Sequence, residues 1–371
     1  MAEPNPIFAA GATRTDSAQI DHYAAAPRVA APGCSVCVAN YNGAALLDDC
    51  LQSIFAQHGD VAIEVIVHDD ASSDDSVALL RARYPQVEVI ASRSNVGFCV
   101  GNNRMVQHAR GEYILLLNND AALFPDAIAC MLDAARTQQP VGILTLPQYD
   151  WETGALVDRG CLLDPFYNPV PNIDPLRRDV AMAIGACLFV PRSLWLDLGG
   201  FPEWMDSIAE DLYLCCLARL RNLPVQVETR SGYRHRIGAS FGGARVAQKK
   251  LRSTFRRRRL SERNKTFALI ICTPSVAAWA LLAVHLALLM LEGIVFSLVR
   301  IDWRIFTYIY FNVVRALWSD FGRLRTIRRS VQEKRIATAR KYFAAFTWVP
   351  RKLVMLKRFG MPSVSDQPRD V

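Results

Sequence analysis

The 371 residues of this chain can hold one large domain of roughly 200 to 250 residues and an appendage, since a single hydrophobic core stops growing near that size. Apolar residues make up 51% of the chain and charged residues 21%, so the apolar excess must be concentrated in one region. The net charge of +8 would suit nucleic acid or anionic lipid, but a long apolar run lies between two basic stretches, 249–265 and the segment after Arg300, which decides for lipid and against nucleic acid.

The first segment, residues 1–32, is predicted to be a disordered leader because it is rich in Ala, Pro and polar residues without periodicity. It has neither the basic start nor the apolar run of a secretory signal, so we expect the ten cysteines to stay reduced in a cytoplasmic setting. Cys34 and Cys37 have C-x-x-C spacing, but a strand would point them to opposite faces. We therefore interpret them as core residues rather than as a redox or zinc pair.

From Cys34 onward the sequence alternates short apolar runs with helical stripes. The predicted strands cover 34–39, 62–68, 87–91 and 113–118, and the predicted helices lie near 47–54, from Ser73 or Asp74 onward, near 101–109 and at 128–135. Such alternation predicts an α/β fold in which helices flank a mostly parallel sheet.

Polar and acidic residues follow each predicted strand, where ligands of parallel sheets bind. These strand ends read Asn40-Tyr41-Asn42-Gly43, HDDASSD from His68, Asn95-Val96-Gly97 and Asn118-Asn119-Asp120. A G-x-G-x-x-G phosphate loop is missing from the sequence, which weighs against a dinucleotide oxidoreductase.

Two of these strand-end carboxylates are candidate ligand contacts. Asp69 could accept a hydrogen bond from the imide N–H of a uracil or thymine ring; the alternative is a turn in which Ser73 and Asp74 cap the next helix. Asp120 could bind Mg²⁺ or Mn²⁺ against a diphosphate, because these ions need only one or two protein carboxylates; the alternative is a turn residue.

After residue 140 the alternation of apolar runs and helical stripes becomes irregular, and a second polar cluster precedes Gly243. Glu210 and Asp211 begin an apolar helical stretch, where acidic residues also complement the helix dipole without any chemistry. His235 lies in a loop rich in Gly and Arg, where a core histidine would pack poorly, so we interpret it as a ligand of the same metal.

Together these motifs resemble the family 2 glycosyltransferases of the GT-A fold, and within them the bacterial rhamnosyltransferase-like members that build cell-surface polysaccharides. The resemblance covers residues 34 to about 265 and rests on VCVANYNG, HDDASSDDS, NVGFCVGNNRMVQHARGEYILLLNND, GACLFVPR, GGFPEW, EDLYL and the pattern His235, Gly238, Ser240. Pro202 and Tyr213 stand where the family's motifs have acidic residues, so the resemblance does not predict the acceptor specificity of this chain.

The resemblance implies a role for each matching residue. Asp211 would be the catalytic base, Glu210 would orient the acceptor, and Asp120 and His235 would bind the metal. The implied nucleotide-sugar site comprises Asn40, Asp69, Asp70, Asn95, Gly97, Asn102, Asn103, Asn119, Gly185, Ala186 and Arg263.

The implied reaction is inverting transfer from a nucleotide diphosphate donor, either a dTDP- or a UDP-sugar with dTDP-rhamnose as one candidate, to a saccharide or lipid-linked saccharide. The Q-x-x-R-W signature of processive synthases is missing from the sequence. Two alternatives are a catalytically silent, membrane-bound nucleotide-sugar-binding scaffold and a nucleotidyltransferase; the latter would need a Gly-rich activating loop.

The C-terminal third is predicted to associate with the cytoplasmic face of the inner (plasma) membrane. Residues 267–291 carry no formal charge and are long enough to cross a bilayer, which needs about 20 residues. A single crossing would put the basic tail on the wrong side, so an embedded or interfacial hairpin with bends at Pro274 and Gly293 is favoured; a buried soluble helix is the alternative. The predicted domains are 33–265, catalytic; 266–320, membrane-associated; and 321–371, a basic tail.

Overall fold

The computed structural model of the protein describes residues 19–238, 245–247 and 250–365. Its strands are β1 (Ile20–Tyr23), β2 (Cys34–Asn40), β3 (Ile63–Asp69), β4 (Glu88–Ser92), β5 (Tyr113–Asn118), β6 (Ala121–Leu123), β7 (Ile143–Thr145), β8 (Gln148–Asp150), β9 (Leu156–Asp158), β10 (Cys161–Leu163), β11 (Pro169–Pro171), β12 (Cys187–Pro191), β13 (Val225–Val227), β14 (Tyr233–His235), β15 (Arg245–Ala247), β16 (Lys250–Thr254) and β17 (Ser363–Ser365).

The α-helices are α1 (Ala44–Phe55), α2 (Ser76–Arg83), α3 (Phe98–His108), α4 (Ala127–Thr137), α5 (Arg192–Leu198), α6 (Glu210–Leu220), α7 (Phe255–Cys272), α8 (Ala277–Arg300), α9 (Phe311–Glu333), α10 (Ala339–Tyr342) and α11 (Arg351–Phe359). Short 3₁₀ helices cover Glu203–Met205 and Phe343–Ala345, and a π-helical turn covers Phe306–Tyr310.

An eight-stranded sheet forms the centre of the fold, in the order β1-β4-β3-β2-β5-β12-β7-β13. Strands β2 to β5 are parallel to one another, as predicted, whereas β12 lies antiparallel between β5 and β7. The residues of β2 and β3 are apolar on both faces because helices cover both, and two apolar clusters form the core. The predicted α/β class is therefore confirmed, with a mixed rather than wholly parallel sheet.

The segment before β2 differs from its prediction. Residues 1–18 lie outside the described part of the chain, but Ile20–Tyr23 forms β1, which pairs antiparallel with β4 from Ile20↔Ser92 to Tyr23↔Val89. The prediction of disorder through residue 32 is therefore wrong for this strand. The pattern was too short to detect because the four residues contain only two apolar side chains, Ile20 and Tyr23.

A smaller four-stranded sheet has the order β6-β14-β8-β9. In it β14 pairs antiparallel with β6, with His235 opposite Ala121, and parallel with β8. Because β6 follows β5 after only two residues, this sheet carries the distant segment 233–235 to the carboxyl edge of the large sheet.

The predicted apolar stretch 267–291 belongs to two helices. Its first part, 267–272, ends α7 and is buried in the core beside α6, as the soluble-helix alternative required. The second part lies in α8, which is the one helix among the described residues long and apolar enough to cross a membrane; a third of its apolar window is buried, 33%. The predicted boundaries at 265/266 and 320/321 fall inside α7 and α9, so they are not breaks between folded units.

Helices α8 and α9 form a hairpin, but Gly293 does not bend it. Helix α8 runs without interruption through Gly293, and a Cβ there would meet Tyr310 Cγ at 2.6 Å. The glycine is thus required by close packing between α8 and the π-helical turn.

The C-terminal tail returns to the α/β part of the chain. Tyr342 is fully buried and shares a 2.9 Å hydrogen bond with the Tyr167 hydroxyl. Lys352 donates to Glu262 on α7 at 2.9 Å and to Glu292 on α8 at 2.6 Å. Helix α7, which precedes the hairpin, and the C-terminal tail, which follows it, therefore pack against the same α/β part of the chain. The two ends of the hairpin thus lie on the same side.

Arg328 on α9 provides a test of this packing. Its guanidinium is buried and donates to the carbonyl oxygens of Thr273 at 2.8 Å and Ser275 at 2.7 Å, just beyond the end of α7. We expect Arg328→Met to lower the free energy of unfolding by about 2 kcal/mol, because it leaves buried carbonyls without a donor. The neighbouring Arg329 is exposed, so Arg329→Met is the matched control and should change stability by less than about 0.5 kcal/mol in the same denaturant titration. Equal losses in the two variants would contradict the assigned contacts.

Candidate active site

The carboxyl ends of β2 and β3 hold Asp69 in a fixed position. Its carboxylate accepts from Asn40 Nδ2 at 2.8 Å, from the Ser72 amide at 2.9 Å and from the Ser72 hydroxyl at 2.7 Å. Asn119 in turn donates to Asn40 Oδ1 at 2.7 Å. A carboxylate has about four acceptor positions, so Asp69 keeps roughly one for a ligand.

The capping alternative applies to Asp74 rather than to Asp69. Asp74 accepts from the Ser76 amide at 3.1 Å, beside the start of α2, and from the Ala44 amide at 2.9 Å. Asp69 instead closes a turn through its two hydrogen bonds from Ser72, and its role as a ligand contact stays a prediction.

Asp70 is joined to the loop after β4. Its two oxygens accept from the amides of Val96 at 2.7 Å and Gly97 at 2.9 Å. Burial raises the pKa of Asp70, and these two amides oppose the rise. Gly97 has φ +89°, which a side chain would strain, and Asn95 donates to the Asp70 carbonyl at 3.4 Å. The three predicted residues are thus brought together.

Three other residues predicted to contact the nucleotide sugar form hydrogen bonds with protein groups. Asn102 is buried and donates to the Phe98 carbonyl within α3. Asn103 exchanges hydrogen bonds with the backbone of Phe201, 2.8 and 3.0 Å long. Arg263 donates to the Met205 carbonyl at 3.1 Å and to Asn264 Oδ1 at 2.9 Å. Asn102, Asn103 and Arg263 therefore support the surrounding backbone, and their contact with a nucleotide sugar stays a prediction.

Asp120 and His235, which are 115 residues apart in sequence, form a buried pair. His235 Nε2 lies 3.0 Å from Asp120 Oδ1, and the Arg236 amide donates to the Asp120 carbonyl at 2.9 Å. The pairing of β14 with β6 creates this contact, since Asp120 directly precedes β6 and His235 ends β14. The structure thus brings together the two predicted metal ligands.

Gln148 supports a particular tautomer of His235. Its Oε1 accepts from the Tyr233 hydroxyl at 2.7 Å and faces His235 Nδ1 at 3.3 Å, so the proton of a neutral imidazole belongs on Nδ1. The Nε2 lone pair then faces the Asp120 carboxylate, and at 3.0 Å these two atoms need a proton or a metal ion between them. The donor set of one carboxylate and one oriented imidazole therefore fits a divalent metal ion.

Asp158 on β9 is a further buried acid in this sheet that the sequence did not single out. Burial raises its pKa to about 7, while the Gly160 amide and the charge of His235 oppose the rise. Asp158 is the last residue of β9, which has only three residues, and such short strands give almost no periodic signal.

The acidic pair at the start of α6 is also buried. Asp211 Oδ2 accepts from the Gly185 amide at 2.9 Å, and Asp211 Oδ1 accepts from the Leu212 amide at 2.7 Å. Glu210 Oε2 has no hydrogen-bond partner among the described residues. Burial raises the pKa of both carboxyl groups, and the charge of Arg257 on α7 opposes the rise.

Gly185 and Ala186 connect the acidic pair to the metal-ligand side. The Asn118 amide at the end of β5 donates to the Ala186 carbonyl at 3.2 Å, and the adjacent Gly185 amide binds Asp211. Asp211 is therefore linked through two consecutive backbone units to the strand that precedes Asp120.

The loop before α6 has a strained backbone held by α7. Asp206, Ile208 and Ala209 have positive φ angles of +67°, +72° and +69°. Asn264 Nδ2 donates to the carbonyls of Met205, Ser207 and Ile208 at 2.7 to 3.0 Å. Such angles cost free energy in residues other than glycine, so these hydrogen bonds are needed to keep the loop in shape.

The pattern His235, Gly238, Ser240 ends at Ser240, outside the described residues.

Comparison with known proteins agrees with this geometry. Residues 35–194 match the model of Glycosyl transferase family 2. Succinoglycan biosynthesis protein ExoO of Rhizobium meliloti (strain 1021) is 36% identical over 123 residues, 32% of this chain and 35% of that protein. N-acetylglucosaminyl-diphospho-decaprenol L-rhamnosyltransferase of Mycobacterium tuberculosis is 25% identical over 182 residues, 41% of this chain and 59% of that protein.

The fold has a solved counterpart in the structure of GalNAc-T7 with UDP, GalNAc and Mn²⁺, with a TM-score of 0.53, 13% identity, and coverage of 66% of this chain and 49% of that one. The matched stretches thus span only about a third to three fifths of the curated relatives' lengths. Residues 35–194, less than half of the chain, are thus similar to glycosyl transferase family 2, and the fold is GT-A.

Proposed function

We propose that the protein is an inverting, divalent-metal-dependent glycosyltransferase that moves a sugar from a dTDP- or UDP-sugar to a saccharide or lipid-linked saccharide in cell-surface polysaccharide synthesis. The observation that carries the proposal is the buried contact of Asp120 with His235, 3.0 Å long, at the strand edge that also holds Asp69. These groups suit the diphosphate and base ends of one nucleotide.

The residues on the donor side have separate tasks. Asp69 offers its remaining acceptor position to the imide N–H of the base. Asp120 and His235 would hold Mg²⁺ or Mn²⁺, which would neutralise the charge that develops on the leaving nucleoside diphosphate. Gln148 keeps the His235 ring turned toward Asp120.

Asp211 would take the proton from the attacking hydroxyl. A base works best when its pKa is close to the working pH, and burial shifts the Asp211 pKa in that direction. The Gly185 amide fixes one carboxylate oxygen, so the proton would go to a carboxylate of defined orientation. A single displacement by a hydroxyl activated in this way inverts the anomeric carbon.

A small basic cavity supports a lipid-linked acceptor. It has a volume of about 250 Å³ and lies between α7 and the turn after α8, lined by Phe255, Arg256, Arg259, Arg304 and Tyr308. Arg256 also contacts Asp206 in the loop before the acidic pair at 2.9 Å. Guanidinium groups bind phosphate in a bidentate manner, and the name of the Mycobacterium relative includes a diphospho-decaprenol substrate. That relative is named an L-rhamnosyltransferase, which supports rhamnose as a candidate sugar.

Membrane association at the cytoplasmic face is part of the proposal. The outer side of α8 and the turn after it expose Leu291, Leu298, Ile301 and Trp303, with Ile301 94% accessible. Soluble monomers rarely expose apolar patches of this extent. Helix α9 carries several arginines, and the tail docks beside the catalytic part, so an in-plane hairpin fits better than a crossing.

A catalytically silent nucleotide-sugar-binding scaffold is the second candidate. Such a scaffold would use Asp69, Asp120 and His235 to bind the nucleotide sugar. It would not need a buried general base next to an acceptor. The cost of burying Glu210 and Asp211 together favours an enzyme, because a purely binding protein has no use for two carboxyl groups with raised pKa values.

Asp120→Asn tests the metal pair. We expect it to abolish divalent-metal-dependent binding of the nucleotide sugar, because the amide removes the anionic ligand, while the fold persists. Isothermal titration of dTDP and UDP in the presence and absence of Mn²⁺ measures the effect. Asp60→Asn, at an exposed aspartate, is the control; metal-dependent binding retained in Asp120→Asn would refute the assignment.

Asp211→Asn tests the base. Transfer from the best donor in a panel of nucleotide sugars should fall by roughly 10² to 10⁴ while donor affinity stays nearly unchanged, since the amide keeps the shape but cannot take a proton. Glu210→Gln should be milder if Glu210 orients the acceptor. Single-turnover rates and donor affinities are measured side by side, and near-normal turnover of Asp211→Asn would place the base elsewhere.

The stability of Asp211→Asn separates this role from a structural one. A carboxyl group whose pKa is raised on folding stabilises the protein below its unfolded pKa, and that contribution is lost as pH rises through the folded pKa. At a pH above the folded pKa of Asp211, where the wild-type carboxyl group is ionised and buried, the neutral amide should therefore leave the melting temperature unchanged or raised.

The exposed face of the hairpin gives the membrane test. The double variant Leu298→Glu, Ile301→Glu should no longer float with vesicles of anionic phospholipid, because it places two charges on the apolar face. Leu176→Glu is the matched control, since Leu176 is 89% accessible but lies in the loop between β11 and β12. Wild-type protein that stays soluble at low salt without detergent and does not float would contradict membrane association.

A further inference from the structure

A second cluster of ligand-type side chains lies away from the candidate active site. His22 is on β1, Glu88 begins β4 and His108 is in the last turn of α3. In the antiparallel pairing His22 is opposite Ile90, two residues from Glu88, so His22 and Glu88 share one face of the sheet. Helix α3 packs on that face and brings His108 to the same point.

The three side chains converge on one carboxylate oxygen. Glu88 Oε1 lies 2.9 Å from His22 Nε2 and 3.0 Å from His108 Nδ1, and the three ligand atoms all lie within 4.8 Å of one another. Ligands of a tetrahedral zinc ion with bonds near 2.0 Å are about 3.3 Å apart, so each imidazole would move from Glu88 by only a few tenths of an ångström. The two imidazole nitrogens, at most 4.8 Å apart, would approach each other by up to about 1.5 Å.

The accessibility of the cluster also suits an ion. The Glu88 side chain is 9% exposed, whereas His22 and His108 are 42% and 35% exposed, so the anionic ligand is buried and the imidazoles reach solvent. Without an ion, His22 Nε2 and His108 Nδ1 must both carry a proton, because the Glu88 carboxylate can only accept hydrogen bonds. A single cation bound by all three groups would replace these two protons. A water molecule can reach the fourth position from the solvent side.

The cluster is separate from the Asp120–His235 pair. Glu88 is opposite Ile66 on β3, three residues before Asp69, which places it about 10 Å from the strand-end edge along the sheet. Strands β3 and β2 also lie between β4 and β5, the strand that precedes Asp120.

We propose that His22, Glu88 and His108 bind one zinc ion, with water as the fourth ligand, and that the ion ties the edge strand β1 to β4 and α3. Two imidazoles and one carboxylate suit zinc better than Mg²⁺, which prefers oxygen ligands and waters. Each ligand comes from a different element, so the ion would join segments that are 66 and 20 residues apart in sequence.

The test counts zinc bound to the full chain by equilibrium dialysis and metal analysis. His22→Gln and His108→Gln should each weaken binding of one equivalent by at least roughly 100-fold, since losing even an outer partner of a ligand costs 10- to 100-fold. His58→Gln, at an exposed histidine outside the cluster, should retain that equivalent, and so should Asp120→Asn. Unchanged stoichiometry and affinity in both cluster variants would overturn the proposal.

Hydrogen exchange in wild-type protein gives a readout that does not depend on the variants folding. Zinc should slow amide exchange in β1, residues 20–23, while Mg²⁺ at the same concentration should not. Exchange in β1 that is the same with and without zinc would overturn the proposal, because the ion would then not hold the strand.

Discussion

The contact between Asp120 and His235 depends on the position of β14 between β6 and β8, and the candidate active site depends on that contact. The large sheet alone presents Asn40, Asp69 and Asp120 at one edge. An aspartate there, buried to 1% exposure, would be costly without a cation or a donor beside it. The small sheet supplies the imidazole, and Gln148 on the neighbouring strand orients it.

The central part of the fold was predictable because its signals are local. Strands β2 to β5 are apolar on both faces and are followed by helical stripes, and their polar ends identified Asp69 and Asp120 without any contact information. The strand-end argument works because parallel strands share an edge, so that linear order becomes spatial proximity.

The unpredicted features depend on contacts between distant segments. Gln148, Asp158 and Arg257 carry no motif and become relevant only through the neighbours that the small sheet and α7 bring to them. The backbone contacts of Asn103 and Arg263 were also not predictable, because a pattern of residue types does not distinguish a ligand contact from support of the backbone. The strand β1 was missed because four residues are too few for a periodic signal.

The hydrogen bonds from Asn264 to the loop before α6 have a consequence for how such a protein can be recombined. The family match ends at residue 194, before Glu210, Asp211 and His235, and the shape of the loop that precedes the acidic pair is set by a side chain still further along the chain. A chimera that joined the donor half of this chain to the acceptor half of a relative would keep the proposed nucleotide contacts. It would hold the proposed base in the same position only if the incoming segment brought its own helix with an amide at the place of Asn264. The segment to be exchanged as one unit therefore extends through α7.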